Sequence, residues 1–233
     1  MTRRPDVSDA RMVPLYSAGE AAHYLSVPIA TTTSWVQGRN YPTRSGLKRF
    51  KPLIHAACDD PWELSFTNLV EIYVLSSLRK HYRLRLHNVR SALTYVERET
   101  RIEHPLAHQG FLTDGASLFI ERFGELINAS ADGQKAMKDV VRLYAKRIDA
   151  DADGLASRLY PFTTPSIESA PKVIAIDPSV SLGRPFIRGL GVSTAILAER
   201  YKAGDSIAVL AEDYECEASF IEEAIRCELP LAA

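Results

Sequence analysis

The stretch YSAGEAAHYLSVPIATTTSWVQGRNYPTRSGLKRFKPL, residues 16 to 53, decides the fold of the N-terminal part of this 233-residue chain. Ser17 followed by Glu20 is a capping-box pattern, and the alanines after it predict a short helix with small residues on its packed side. Pro28 stands where a second helix can begin, and Gly38 ends that helix. Two short helices joined by a tight turn predict a helix-turn-helix.

The second helix has an apolar side and a polar side. Its apolar side is expected to pack on the first helix because one face of an amphipathic helix is normally buried. The side chains expected on the packed side are Val27, Thr32, Trp35 and Val36, and those expected to point outward are Thr31, Thr33 and Gln37.

Residues 39 to 51 hold five cations and no acid. Pro42, Ser45 and Gly46 supply turn chemistry in the middle of this segment, and Phe50 and Leu53 are apolar anchors at its end. The segment therefore predicts a basic wing.

This order of helix, tight turn, short helix and basic wing resembles the winged helix-turn-helix of MerR-like regulators, and residues 62 to 97 resemble that family's accessory helices. The resemblance implies that the second helix enters the major groove of DNA while the wing binds phosphates. The implied base-reading or base-approaching residues are Thr31, Thr33, Gln37 and Arg39, and the implied phosphate-binding residues are Arg44, Lys48, Arg49 and Lys51. The alternative is a solvated basic loop on a structural helix pair.

The charge of the chain is divided between its two ends. Residues 1 to 55 hold eight Lys and Arg against three Asp and Glu, whereas residues 172 to 233 hold six against ten. The run from Arg79 to Arg90 has several cations and no acid, which fits either an extension of a phosphate-binding surface or an exposed turn between helices. The opposite charges of the two ends indicate two different partners.

The middle of the chain gives weaker signals. Asp114-Gly115 between apolar residues 111–112 and 118–120 predicts a β-hairpin. Apolar residues at helical spacing between Gln134 and Ile148 predict a helix, which either pairs with a second copy or completes the core of the first domain. A segment rich in Pro, Ser and Thr then predicts a linker that ends near Pro171.

Sequence patterns typical of enzymes, metal sites and membrane proteins are missing. His104 and His108 are four residues apart, but Pro105 interrupts the helix that a metal-binding pair would need. The three cysteines are few and far apart, which favours reduced thiols over a disulfide framework. No apolar run has the length of a membrane span and no signal peptide is visible, so a cytoplasmic, non-enzymatic protein without a cofactor is expected.

The C-terminal part begins with a strand predicted over residues 173 to 176. A loop follows that contains IDPSVSLGRPFIRGLGVST, residues 176 to 194, with Arg184 and Arg188 among three glycines and two prolines. Three helices are then predicted, after Ser193, after residues 204–206 and from about Ala218. The pattern indicates a small three-helix module similar to a helix-turn-helix.

This module resembles a domain family, first described without a function, whose signature runs Asp-Pro, Gly-Arg-Pro, Ile-Arg-Gly and Tyr-x-x-Gly. The matching positions are Asp177-Pro178, Gly183-Arg184-Pro185, Ile187-Arg188-Gly189 and Tyr201 to Gly204. Members of that family are frequently antitoxins of the VapB type, and the combination with a MerR-like N-terminal half resembles one antitoxin subgroup. The resemblance implies a PIN-domain ribonuclease toxin as partner. Acidic residues on the last helix also suit a protein partner better than DNA.

The sequence therefore predicts a mainly α-helical chain with short β elements, divided at residues 1–104, 105–170 and 171–233. The expected function is that of a homodimeric antitoxin that neutralises a nuclease and represses its own operon by binding operator DNA. The alternative is a MerR-like regulator whose C-terminal module senses a ligand or another protein. Arg184 and Arg188 either bind the carboxylate cluster of the partner or pair internally with Asp177, Asp205 or a helix C-terminal carbonyl and shape their loop.

Overall fold

The computed structural model of the chain describes residues 9–43, 46–81, 85–111, 115–164 and 170–229. Its N-terminal part contains helices α1 (Ala18–Leu25) and α2 (Ile29–Val36) and strands β1 (Arg39–Thr43) and β2 (Gly46–Phe50). The Ser17 hydroxyl accepts a hydrogen bond from the Glu20 amide, and the Glu20 carboxylate accepts one from the Ser17 amide. The predicted capping box, helix pair and wing are thus confirmed.

Helix α3 (Phe66–His81) forms the centre on which the helix-turn-helix packs. Its residues from Phe66 to Leu78 are buried because other elements cover the helix on all sides. A short antiparallel pair, β3 (Cys58–Asp59) and β4 (Trp62–Glu63), leads into it. Tyr16 pairs with Leu64 through backbone hydrogen bonds, and this contact fixes the start of the helix-turn-helix beside α3.

Three further helices complete this core: α4 (Leu86–Thr100), α5 (Ala116–Ile127) and α6 (Ala131–Ala145). The predicted hairpin is wrong for residues 118–120, because these lie in α5, where Phe119, Ile120 and Phe123 are buried. Residues 112–114, which include Asp114, lie outside the described part of the chain. Helix α6 buries Met137, Val141 and Tyr144 in the same core, as in the alternative in which it completes the first domain.

A third antiparallel pair, β5 (Ile148–Ala150) and β6 (Ala156–Leu159), connects this core to the C-terminal part. The buried guanidinium of Arg147 donates hydrogen bonds to four carbonyl oxygens, those of Tyr160, Pro161, Ala170 and Pro171, at 2.7 to 3.0 Å. It also lies 4.5 Å from the ring centroid of Phe162. Both described ends of the predicted linker are therefore held by one side chain.

The C-terminal module contains strands β7 (Ile174–Ala175) and β8 (Phe186–Ile187) and helices α7 (Thr194–Lys202), α8 (Ile207–Asp213) and α9 (Ala218–Glu228). These elements confirm the three predicted helices and enclose a second apolar core. Its fully buried members are Ile174, Ile187, Leu197, Leu210, Ile221, Ala224 and Ile225.

The first core extends from Tyr16 to Ile176 and so crosses the boundary predicted at residue 104. Leu159 and Ile176 exchange backbone hydrogen bonds of 2.8 and 2.9 Å, which join β6 to the entrance of the C-terminal module. The division of the chain into three segments stays a prediction. No helix in the described ranges is both long and apolar enough to cross a membrane.

Candidate nucleic-acid interface and partner-binding loop

The outer face of α2 consists of Ile29, Ala30, Thr33 and Gln37, all of which reach solvent. Thr31 is wrongly predicted to point outward, because only 5% of it is exposed. Thr31 lines a recess that is also bordered by residues at the start of α4 and the end of α5. Thr33 and the C-cap residue Gln37 are therefore the polar residues of this face that reach solvent.

The wing is a five-residue antiparallel pair in which Tyr41 lies opposite Lys48 and Asn40 opposite Arg49. Lys48, Arg49 and Lys51 are exposed and form no ion pair with any residue of the described ranges. Because neighbouring residues on a strand point to opposite faces, Lys48 and Arg49 present their charges on two sides of the wing. Arg44 lies outside the described residues.

Arg90 of α4 holds the base of the wing. Its guanidinium donates a hydrogen bond to the carbonyl oxygen of Lys51 and lies 4.9 Å from the ring centroid of Phe50. Arg79, at the other end of the same cation run, lies 6.0 Å from the Trp35 ring centroid. Within the run from Arg79 to Arg90, Arg90 thus has a structural contact that the sequence did not reveal.

The C-terminal loop places its two arginines in different surroundings. The Arg184 guanidinium forms an ion pair with Glu20 of α1, 164 residues away, and lies 3.3 Å from the Tyr24 hydroxyl. Arg188 is exposed and lies 5.9 Å from the Tyr160 ring centroid. Neither arginine pairs with the internal acids expected for them, because Asp177 binds Arg158 and Asp205 binds Arg200.

Glu20 therefore has two functions in the fold. One carboxylate oxygen caps α1 through the Ser17 amide, at 2.8 Å, while the other binds Arg184. Burial opposes ionisation of Glu20, but the hydrogen bonds from Arg184 and Ser17 outweigh it and lower the pKa of the carboxyl group. Sequence reasoning found the cap and missed the ion pair.

The loop before Arg184 is held in an uncommon backbone conformation. Ser181 and Leu182 have φ of 48° and 53°, and Gly183 follows with φ of 74°. The Gly183 carbonyl accepts a 2.7 Å hydrogen bond from the buried Tyr16 hydroxyl, which joins this loop to the helix-turn-helix half. Leu182 is 85% exposed.

The two histidines considered for a metal pair point to different partners. His104 lies 3.1 Å from the buried carboxylate of Glu71, whereas His108 lies 3.0 Å from the carbonyl oxygen of Asp153. Hydrogen bonding to Glu71 outweighs burial and raises the pKa of His104. The described part of the chain holds no group of three or more His, Cys, Asp or Glu placed to bind a metal ion.

The cysteines of the described chain are free thiols, as the sequence indicates. Burial raises the pKa of Cys227 to about 12, and the neighbouring carboxylates Glu228 and Glu223 act in the same direction. The Cys227 thiol is therefore held in its protonated, less nucleophilic form.

Comparison with known proteins gives matches in both halves of the chain. Residues 14–93 match the family described as "Putative DNA-binding HTH domain", and residues 174–226 match "Protein of unknown function (DUF433)". The chain is 31% identical over 219 residues to "Putative antitoxin VapB45" of Mycobacterium tuberculosis H37Rv, covering 87% of this chain and 88% of that protein.

The fold also matches the X-ray crystal structure of Rv2018 from Mycobacterium tuberculosis. The TM-score is 0.67 with 24% sequence identity, and the match covers 92% of this chain and 98% of the other. At this level of identity the likeness concerns the fold.

Proposed function

Because the chain belongs to the antitoxin family that includes VapB45 of Mycobacterium tuberculosis, we propose that it is a DNA-binding antitoxin of a type II toxin-antitoxin system. It binds and neutralises a PIN-domain ribonuclease, and it represses its own operon by binding operator DNA as a cytoplasmic homodimer. One observation carries this proposal: in the described ranges, cations without an ion-pair partner lie at two separate places. One is the wing beside α2, and the other is Arg188 on the C-terminal module.

The DNA-binding half of the proposal rests on the wing. Lys48 and Arg49 extend into solvent next to the outer face of α2, and no carboxylate in the described ranges neutralises them. Phosphate contacts release counterions, so each contact steepens the fall of log affinity with log salt by about 0.9. Thr33, Gln37 and Arg39 then lie where they approach base edges.

The corresponding experiment measures fluorescence anisotropy of DNA from the region upstream of the gene at several salt concentrations. Lys48→Ala and Arg49→Ala should each flatten the salt slope by about 0.9, because each removes one phosphate contact. Lys135→Ala, which removes an exposed charge on α6, is the matched control and should leave the slope unchanged. Equal slopes in all four proteins would remove the wing from the DNA interface.

The toxin-binding half rests on Arg188. Arg184 already has the Glu20 carboxylate as partner, whereas Arg188 has an exposed guanidinium beside an aromatic ring. A guanidinium binds a carboxylate through two parallel charge-assisted hydrogen bonds, and PIN-type nucleases hold metal with clustered carboxylates. Arg188 is therefore the side chain proposed to enter the toxin's acidic site.

This half is tested by co-expression with the product of the adjacent gene, followed by an RNA cleavage assay on the purified complex. Arg188→Ala should release nuclease activity while the melting temperature of the free antitoxin stays within about 1 °C, since an exposed side chain contributes little to stability. Full inhibition by the variant, or a complex that never forms with the wild-type chain, would count against the assignment. Light scattering of the free chain tests the homodimer.

A further inference from the structure

A cavity of about 950 Å³ lies beside the outer face of α2, between that helix, the start of α4 and the end of α5. The residues that line it are Ala30, Thr31, Ser34, Arg39, Arg79, Arg85, Leu86, Asn88, Leu126, Ile127 and Asn128. Three of these side chains are arginines and none is acidic. The cavity shares Arg39 with the start of the wing and lies apart from the C-terminal loop.

The arginines around the cavity have no acidic partner in the described ranges. Arg39, Arg79 and Arg85 form no ion pair there, in contrast to Arg11, Arg158, Arg184 and Arg200, each of which binds a carboxylate. Three unneutralised guanidinium groups on one recess repel one another unless an anion lies between them. Their arrangement favours a ligand that carries more than one negative charge.

Backbone and polar groups add to this preference for an anion. The N-cap residue of α4, Arg85, makes no side-chain capping bond to the first turn, and the positive end of this 15-residue helix lies beside the cavity. The Ser34 hydroxyl is buried and has no hydrogen-bond partner among the residues that the structure describes. It is a donor available to a bound oxyanion.

The depth and lining of the recess favour a small molecule over duplex DNA. Thr31 and Asn88 are each 5% exposed, so they lie below the surface that a rigid double helix can touch. Leu86, Leu126 and Ile127 supply apolar surface, which a phosphate backbone does not need but an organic ligand does. The volume is within the range of about 300 to 1,000 Å³ of small-molecule sites.

We propose that this cavity binds a small organic molecule with two or more phosphate groups, of about the size of a nucleotide. Arg39, Arg79 and Arg85 bind the phosphates, and the leucines and Ile127 pack against the organic part. Arg39 is also at the start of the wing, so occupancy of the cavity removes one cation from the proposed DNA surface. That last consequence rests on the proposed function, whereas the binding itself does not.

The test is isothermal titration of the full chain, without DNA or toxin, with ADP, fructose 1,6-bisphosphate and pyrophosphate as probes and adenosine as the uncharged control. At least one phosphorylated probe should bind with one site per chain, and adenosine should not. Arg79→Gln and Arg85→Gln should each weaken that binding about tenfold or more, since each removes a charge-assisted contact. Arg98→Gln, which changes an arginine that is exposed on α4 and paired with Glu99, should have no effect.

Thermal melts of the same variants show that they are folded, because both altered arginines are exposed and their loss should leave the melting temperature nearly unchanged. Arg39→Gln is the second variant if either of the first two fails to fold. The proposal is wrong if none of the three phosphorylated probes binds, or if they bind equally well to the arginine variants. A reduced salt slope of operator binding in these variants, without any small-molecule binding, would assign the arginines to the DNA backbone instead.

Discussion

Gly183 lies where the C-terminal loop touches the helix-turn-helix half, and replacing it with alanine should separate the two. Its φ is +74°, and a Cβ atom there would lie 2.6 Å from the Tyr16 hydroxyl oxygen and 3.1 Å from Leu15 Cδ1. Tyr16 is fully buried, so it has little room to move. The substitution should break the hydrogen bond from Tyr16 to the Gly183 carbonyl.

The expected loss of stability has two parts. An alanine in the left-handed region costs about 1 to 2 kcal/mol, and a buried hydroxyl left without a partner costs about 1 to 3 kcal/mol. Gly189→Ala is the matched control, because Gly189 has φ of +90° in the same loop but no atom within 4 Å of the added Cβ. At about 3 °C per kcal/mol for a chain of this size, the melting temperature should fall by about 10 °C for Gly183→Ala and about 5 °C for Gly189→Ala.

Circular dichroism melts of both variants, and of each in a Tyr16→Phe background, separate the cost of the left-handed backbone from the cost of the lost Tyr16 hydrogen bond. Phenylalanine lacks the hydroxyl that meets the new Cβ, so in that background the cost of Gly183→Ala should fall toward that of Gly189→Ala, leaving only the contact with Leu15. Equal falls for the two glycine variants in the wild-type background would refute the contact as the cause. The contact would also be refuted if Gly183→Ala lowered the melting temperature by the same amount in the Tyr16→Phe background as in the wild-type chain.

Four other substitutions have outcomes that follow from the geometry. Thr31→Val should leave operator affinity unchanged within about twofold because the side chain is buried, whereas Gln37→Ala should weaken discrimination between operator and non-operator DNA by about tenfold. Arg90→Ala should lower operator affinity without changing the salt slope, because this guanidinium holds the wing by the Lys51 carbonyl. His104→Gln should flatten the pH dependence of the urea midpoint, because the hydrogen bond to Glu71 raises the pKa of His104 above its ordinary 6.5. Protonated His104 therefore stabilises the fold fully below pH 6.5, and this stabilisation is lost as the pH rises through the raised pKa.

Each of these expectations has a contrary outcome. Loss of operator binding in Thr31→Val would return that residue to the DNA surface, and a flatter salt slope in Arg90→Ala would make Arg90 a phosphate contact. A wild-type pH profile for His104→Gln would show that another group controls stability in that range. Anisotropy titrations test the three operator-binding variants, Thr31→Val, Gln37→Ala and Arg90→Ala. Urea denaturation between about pH 6 and about pH 9 tests His104→Gln.

Features that depend on neighbours in the sequence were predictable from the sequence. The Ser17–Glu20 capping box and the start of α7 after Ser193 each follow from contacts over a few residues. The two family signatures are also local, and they carry the resemblance to antitoxins.

Local signals failed where burial decided the outcome. Asp114-Gly115 is a strong turn signal, yet the residues after it become α5 because Phe119, Ile120 and Phe123 fill the core from one helical face. Thr31 is polar and lies on a short helix, but it is only 5% exposed and lines a recess instead of the outer face. The free energy gained by burying one face of a helix depends on the surface that covers it. That surface comes from residues distant in the sequence, so a local pattern does not predict it.

The sequence by itself determined the types of module, their order and the residues that carry charge. Only the tertiary structure decided the partner of each charge: Arg184 binds Glu20 164 residues away, Arg147 holds four carbonyl groups of the linker, and Arg188 is left exposed. An ion pair requires two groups within about 4 Å, and the chain brings distant residues to that distance only after its cores are packed. The difference between a scaffold arginine and a binding arginine is therefore a property of the fold.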